Sequence, residues 1–248
     1  MSSEVRVAVF RPDDDRLTDA VELLDSLGAT PIADPMLEVE PTDAVPQSDA
    51  DYVVFTSKTG IELAAEAGWH PGDTTLVSIG SGTTAAAAGA GWTVDREPDT
   101  YSSTGLVELL AEEVADNHVN VARSDHGSQV LLDGLADAGA DVTETVLYRL
   151  VRPADAGDST ELAANGELAA VAFTSSLTVE HFLDAAADRG LRDTVINELD
   201  EAVVGAIGEP TRATAVDHGI DVDIVPEEAT FEALATRVVE AAAPSYTE

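Results

Sequence analysis

The chain repeats its own pattern, and this repetition constrains the fold more than any other feature. VFTS at 54–57 matches AFTS at 172–175, and VAVFR ending at Arg11 matches VNVAR ending at Arg123. Further along, matching residues lie 128 positions apart: Gly80 and Gly208, Thr83 and Thr211, Gly91 and Gly219, Pro98 and Pro226, Leu106 and Leu234. The spacing changes only between segments, as loop insertions would leave it, so the pattern indicates a duplicated unit.

Each copy alternates short apolar segments with amphipathic ones. Strands are predicted at 5–10, 51–56, 75–80, 119–122, 168–174 and 202–208, and helices at 14–28, 84–91, 103–115 and 177–190. Buried strands that alternate with helices require parallel sheets covered on both faces. The sequence therefore predicts an α/β fold built from parallel sheets.

Two equivalent segments are candidate connections between domains. PMLEVEP (35–41) and VLYRLVRP (146–153) are both extended in character and both end in proline, which disfavours helix in the residue before it. A cut at these segments gives a middle domain of about 42–146 and an outer domain built from both ends of the chain. A cut at ADNH (115–118) gives two sequential halves instead, and the pattern leaves both divisions open.

The charge indicates an environment and excludes some partners. Twelve basic residues, of which Lys58 is the one lysine, oppose 48 acidic ones, for a net charge of −36. Such a field repels nucleic acid and anionic membranes. Because the acids lie throughout the amphipathic helices and the Debye length falls to about 3 Å at 1 M salt, we expect a soluble cytoplasmic protein adapted to high salt. A polycationic partner is the alternative interpretation.

Several kinds of chemistry are absent from the sequence. There are no cysteines, which excludes disulfides and thiolate ligands, and the five histidines lie singly without metal-ligand spacing. No apolar run is long enough to span a membrane, and the N-terminus resembles neither a signal peptide nor an anchor.

The turns IGSGTT (79–84) and IGEPTR (207–212) are the first candidate site. Neither has the lysine of a P-loop or the third glycine of a dinucleotide-binding turn. What they share is a strand, a glycine turn and then Thr83 or Thr211 at the start of a helix. These threonines either cap the helices or, with backbone N–H groups, bind an anion or a carbonyl.

Hydroxyl groups form the second candidate site. Ser57 follows Thr56, and Ser175 follows Thr174, directly after two apolar strands. In open parallel sheets, ligands bind beyond the carboxyl ends of the strands. These side chains are therefore expected either to contact a ligand or to cap the helices that follow.

Arginine and tyrosine side chains complete the candidates. Arg11 and Arg123 end equivalent strands, where a guanidinium can bind a carboxylate bidentately or form an internal salt bridge. Tyr148 follows an apolar run in a candidate linker, where its phenol either projects into a cleft between domains or packs half-buried.

The chain resembles a known family in an ordered series of motifs. They are VFRP, FTS, IGSGTTAAAAGAG, YSSTGLVELL, VARSDHGSQVLLDGLADAGADVTETVLYR, VAFTSS and AIGEPTRATAVDHGIDVDIVPEEATFEALATRV, and they extend from about residue 5 to 240. In this order they resemble the uroporphyrinogen-III synthase family. The resemblance implies two Rossmann- or flavodoxin-like domains joined by a two-stranded linker. The outer domain would comprise 1–37 plus 150–248, the middle domain 40–147, and the linkers would lie near 36–41 and 147–153.

The resemblance also implies a function. Members cyclise hydroxymethylbilane, a linear tetrapyrrole, in the interdomain cleft with loss of water and inversion of the last pyrrole ring, as lyases without metal or cofactor. We expect a monomer that binds neither nucleic acid nor membrane, and transient contact with the upstream hydroxymethylbilane synthase is left open. The alternatives are a non-catalytic regulatory module that binds a tetrapyrrole or small ligand, and a nucleotide- or sugar-binding enzyme.

Site residues follow from the resemblance position by position. Tyr148 matches the family tyrosine that assists departure of the hydroxyl. The positions that match substrate-binding groups, or their repeat counterparts, are Ser57, Thr83, Ser103, Thr174, Ser175 and Thr211. Pro210 replaces one of two adjacent threonines, and Ser176 and Leu177 replace a Pro-Ser pair. Because the substrate carries several carboxylates, we expect Arg11, Arg123 and Lys58 to make the cleft the least acidic part of the surface.

Overall fold

A computed structural model describes residues 4–243 and divides the chain into two compact units. Unit 1 comprises the chain up to Glu38 together with the chain from Val151 onward, and unit 2 comprises Val39–Leu150. The described strands are β1 (Arg6–Val9), β2 (Thr30–Ala33), β3 (Glu38–Pro41), β4 (Tyr52–Phe55), β5 (Thr75–Ser78), β6 (His118–Ser124), β7 (Asp141–Val151), β8 (Ala170–Phe173) and β9 (Val203–Ala206). All six predicted strands are among them.

The helices connect these strands. In chain order they are α1 (Asp15–Ser26), α2 (Lys58–Glu66), α3 (Ser81–Gly89), α4 (Ser103–Leu110), α5 (Gln129–Asp137), α6 (Asp158–Ala164), α7 (Ser176–Asp188), α8 (Arg192–Leu199), α9 (Glu209–Asp217) and α10 (Phe231–Ala242). The helix predicted at 103–115 ends earlier, at Leu110. Glu112 and Glu113 follow its C-cap, and acidic side chains are unfavourable at a helix C-terminus.

The two sheets share an order of four strands, which confirms the duplication, and the second sheet has β3 in addition. The order is β2-β1-β8-β9 in one sheet and β3-β7-β6-β4-β5 in the other. When the repeat is applied, β2, β1, β8 and β9 correspond to β7, β6, β4 and β5, so the shared four-strand order is identical. These strands all pair in parallel. Even the isolated bridges Val77–Arg96 and Gly205–Ile224 are repeat counterparts.

Each sheet is covered on both faces, as its apolar strands predicted. In β1, Val7 and Val9 belong to one buried cluster with residues of α1 and α10. The intervening Ala8 belongs to a second cluster with residues of α7. β4 does the same in unit 2, with Val53 in one cluster and Val54 in the other. Alternation along a strand sends successive side chains to opposite faces, so each of these strands contributes to the core on both sides of its sheet.

Among the described residues, no helix is long and apolar enough to cross a membrane.

Candidate functional site

The strand-end edge of unit 2, where β4, β5 and β6 have their carboxyl ends, gathers several of the predicted residues. Ser57 lies two residues after β4, and the IGSGTT turn connects β5 to α3. Tyr148 lies within β7, opposite Ser124 at the end of β6. Parallel pairing places these strand ends together, and this is the edge of an open sheet at which ligands bind.

Ser57 and Tyr148 are joined by a hydrogen bond. The Tyr148 hydroxyl donates to Ser57 Oγ at 3.0 Å, and Ser57 Oγ also accepts from the Gly60 N–H at 3.0 Å as the N-cap of α2. Tyr148 is buried, with 7% of its surface exposed, whereas Ser57 is half-buried. Since Ser57 Oγ accepts two bonds, its own proton is available to a further acceptor. Tyr148 and Ser57 can therefore pass a proton from the phenol through Ser57 Oγ to that acceptor.

The glycine turn of unit 2 opens onto a cavity. The N-cap of α3 is Gly80, which makes no side-chain cap, so Thr83 is not the cap and lies buried in the first turn at 5% exposure. A cavity of 280 Å³ is lined by the turn from Ile79 to Thr83 and by Lys58 and Tyr101. Sequence reasoning did not select Tyr101, although it was the aromatic residue closest to the predicted Ser103.

Ser103 is half-buried at the first position of α4. The cap is the preceding residue, because Ser102 Oγ accepts from the Gly105 N–H at 3.0 Å. Ser103 is therefore not needed to cap the helix.

Unit 1 carries the equivalent hydroxyl groups at its own strand-end edge. Ser175 caps α7 through a capping box with Thr178, and Thr174 precedes it, half-buried. Thr211 is 4% exposed within α9, whose N-cap is Gly208 without a side-chain cap. The threonines of both turns therefore do not cap their helices, while the serines after the FT pairs do.

The departures from the family pattern in unit 1 contact one another. Ser176 Oγ donates to the Pro210 carbonyl at 3.2 Å, and Thr214 Oγ1 donates to Ser176 Oγ at 2.8 Å. Pro210 lies in the first turn of α9, where a missing N–H costs no helical hydrogen bond. Ser176, at the start of α7, is thus hydrogen-bonded to residues of the first turns of α9.

The two candidate arginines lie in different surroundings. Arg123 is 4% exposed, and its Nε contacts Glu144 Oε1 at 2.5 Å while Nη1 donates to the Ser128 carbonyl at 2.6 Å. This is the internal salt bridge that the sequence left open. Arg11 is half-buried, with its guanidinium carbon 4.8 Å from the Phe231 ring centroid. Burial, with a smaller contribution from the charge of Arg16, lowers the pKa of Arg11 from its ordinary value.

Asp125 is a titrating group at the strand-end edge of unit 2. Burial raises its pKa, but hydrogen bonds from His126 and from the Leu150 N–H outweigh this, so the net pKa lies below the ordinary 3.8. A lowered carboxyl pKa contributes stability above the unfolded value and loses it as the pH falls through the folded value. Asp125 therefore helps to hold the end of β7 near neutral pH.

No cluster of three or more His, Asp or Glu side chains within residues 4–243 is arranged to hold a metal ion.

Comparisons with known proteins place this sequence in a family. The family model described as "Uroporphyrinogen-III synthase HemD" matches residues 18–236. The chain is 33% identical over 242 residues to the "Putative uroporphyrinogen-III synthase" of Methanothermobacter thermautotrophicus, covering 91% of this chain and 94% of that protein. The chain belongs to the uroporphyrinogen-III synthase family.

Solved structures with the uroporphyrinogen-III synthase name share the fold. A mutant enzyme from Thermus thermophilus matches with a TM-score of 0.65 and 19% identity, covering 96% of this chain and 98% of that one. The Helicobacter pylori protein matches with a TM-score of 0.65 and 13% identity, covering 96% and 99%. At these identities the structural likeness supports the α/β fold, while family membership rests on the sequence.

Proposed function

We propose that this chain is a uroporphyrinogen-III synthase, a lyase of porphyrin biosynthesis that cyclises hydroxymethylbilane with loss of water and inversion of ring D. Family membership over most of the chain supports this reaction. The observation that carries it is the Tyr148–Ser57 hydrogen bond at the strand-end edge of unit 2. It supplies a candidate proton donor for the loss of water, and neither of the two groups is a strong base.

The first step requires a proton at the leaving hydroxyl. As the carbon–oxygen bond of the hydroxymethyl group breaks, the hydroxyl takes the Ser57 proton and leaves as water. Ser57 is reprotonated by Tyr148, whose proton is restored when the pyrrole N–H is lost and the azafulvene forms. Because a phenol is a stronger acid than an alkyl hydroxyl, the charge left by proton transfer rests on Tyr148 and not on Ser57.

The later steps depend on position more than on acid–base chemistry. Ring D must attack through a spiro-pyrrolenine before the free chain closes to the symmetrical isomer I. Holding the reacting ends together removes the entropy cost of finding that pose. We propose that Thr83 and Ser103 in unit 2, and Arg11, Thr174, Ser175 and Thr211 in unit 1, contribute substrate contacts. Arg123 is engaged by Glu144 and Ser128, so Lys58 is the basic side chain we assign to the edge of unit 2.

The charge of the chain sets the conditions for this activity. A protein with a net charge of −36 repels a polycarboxylate substrate as well as itself. At about 1 M salt the Debye length is about 3 Å, so both repulsions are screened. We therefore propose a cytoplasmic enzyme of a salt-rich cell that acts as a monomer, without cofactor, on hydroxymethylbilane supplied by the upstream synthase.

The test is product isomer analysis in about 2 M KCl, where surface charge is screened. Hydroxymethylbilane is supplied with and without the protein, and uroporphyrinogens I and III are separated after oxidation. We expect isomer III in excess of I only with the protein present. Isomer I alone, from protein that circular dichroism shows to be folded at that salt, would contradict the enzyme and leave the non-catalytic binding module. ATP binding in calorimetry would instead favour a nucleotide-binding enzyme.

A further inference from the structure

Tyr101 is an exposed aromatic residue held in a fixed position. Of its surface, 59% is exposed, the most of any large hydrophobic residue in the described chain. The residue lies just before Ser102, the N-cap of α4, and its ring forms part of the 280 Å³ cavity at the glycine turn of unit 2. Exposed side chains usually keep their rotamer freedom, because ordering them costs entropy that burial does not repay. Something else must hold this ring.

The base of the ring lies directly on Gly80. A Cβ added at Gly80 would meet Tyr101 Cγ at 2.7 Å, with Cδ1 and Cδ2 at 3.0 and 3.1 Å. The φ of Gly80 is 169°, an extended value that any residue adopts, so backbone conformation does not require glycine here. The close approach of the tyrosine ring does.

A chain of hydrogen bonds fixes the other end of the ring. The Tyr101 hydroxyl donates to Glu97 Oε1 at 3.0 Å, and Glu97 Oε2 accepts from the Thr84 hydroxyl. Thr84 Oγ1 lies 2.6 Å from Ser78 Oγ, and since the Thr84 proton is directed to Glu97, Ser78 donates to Thr84. Ser78 is fully buried, which ties the exposed ring to the core of the sheet.

The other copy of the repeat lacks this arrangement. The counterparts 128 positions later are Ala206 for Ser78, Arg212 for Thr84, Val225 for Glu97 and Ala229 for Tyr101. A Cβ added at Gly208 would meet only Pro210 Cδ, at 3.9 Å. Both copies keep the glycine turn and the helix after it, so the fold does not need the aromatic ring.

We propose that the exposed face of Tyr101 stacks on a pyrrole ring of the substrate in the cavity beside Gly80. The inference rests on the proposed function, because it is hydroxymethylbilane that supplies flat, electron-rich rings of this size. Aromatic rings stack with an offset or edge to face, and a ring whose base already lies against Gly80 loses little further side-chain entropy when it does so. Tyr101 thus fixes one ring of the linear chain at the strand-end edge that also carries the Tyr148–Ser57 pair.

The experiment compares Tyr101→Ala and Tyr101→Phe with the wild-type protein in molar KCl, with hydroxymethylbilane added directly. For Tyr101→Ala we expect KM to rise about 3- to 10-fold, the range that aromatic stacking gives, with kcat little changed, because stacking holds the ground state and the transition state alike. Tyr101→Phe keeps the ring and loses only the bond to Glu97, so its KM should stay within about twofold. Val130→Ala, which trims another exposed apolar side chain, is the control for a nonspecific surface effect.

A second pair of variants tests the geometry independently. Gly80→Ala places a methyl group where the ring now lies and should raise KM at least as much as Tyr101→Ala. Gly208→Ala adds the same group in the other copy, where there is room, and should raise KM less. An unchanged KM in Tyr101→Ala, or equal KM values in Tyr101→Ala and Tyr101→Phe, would overturn the stacking role while isomer III production upholds the function. Wild-type protein that yields only isomer I would overturn both.

Discussion

The two units share an order of four strands but carry different side-chain contacts at their strand-end edges. In unit 2 a serine cap also accepts the Tyr148 hydroxyl, and the glycine turn lies beneath Tyr101. In unit 1 the equivalent serine, Ser175, is paired with Thr178 in a capping box, and the equivalent turn has open space above Gly208. The shared features are those that a strand–helix connection needs, which are a turn and a cap. The differences are the Tyr148–Ser57 hydrogen bond and the ring of Tyr101 lying on Gly80, and both belong to unit 2.

Tyr148→Phe should have the largest effect on this contrast. It removes the proton donor to Ser57 and keeps the buried ring, so we expect kcat to fall about 10²-fold, at the lower end of general acid catalysis, with little change in KM. Steady-state formation of isomer III measures it. The matched control is Tyr52→Phe, at the opposite end of β4, which should leave kcat within about twofold. Equal losses in both variants would remove Tyr148 from the reaction.

The serine pair Ser57→Ala and Ser175→Ala separates capping from chemistry. Both variants lose a helix N-cap and should each lose about 1 kcal/mol of unfolding free energy. Ser57→Ala also removes the acceptor of the Tyr148 hydroxyl, so its kcat should fall far more than that of Ser175→Ala, whose effect we expect in KM. Denaturant unfolding and kinetics on the same samples make the comparison. If Ser175→Ala lost more kcat, unit 1 and not unit 2 would carry the acid.

Gly205→Ala should have the smallest effect on activity, because it changes stability alone, and it sharpens the comparison of the two cores. A Cβ at Gly205 would lie 2.4 Å from Val238 and 2.8 Å from Leu234 of α10, whereas its counterpart in unit 2 is Val77. Overpacking should cost about 1–3 kcal/mol. Gly208→Ala should cost about 1 kcal/mol or less, because it exchanges glycine for a poorer N-cap but the added methyl group meets only Pro210 Cδ, at 3.9 Å. Equal unfolding free energies would show that α10 moves away freely.

Local sequence patterns were sufficient to predict six of the nine described strands, four of the ten described helices and the repeat. Each of these depends on residues within a few positions of one another, since the side-chain periods of strands and helices are short. The serine caps at Ser57 and Ser175 follow for the same reason, as hydroxyl side chains directly before a helical pattern. The sequence did not predict that α4 ends at Leu110, because the helical pattern of apolar and acidic residues continues beyond it.

Contacts between distant residues were decided only by the tertiary structure. Arg123 pairs with Glu144 and not with a ligand, Tyr101 lies on Gly80, and Tyr148 reaches Ser57 across 91 positions. None of these partners can be chosen from a sequence with 48 acidic residues and many hydroxyl groups. They depend on which strands are neighbours and on how the parallel register aligns them. The sequence by itself determined a duplicated α/β fold and the positions of its strand ends, while packing and register decided which side chains meet there.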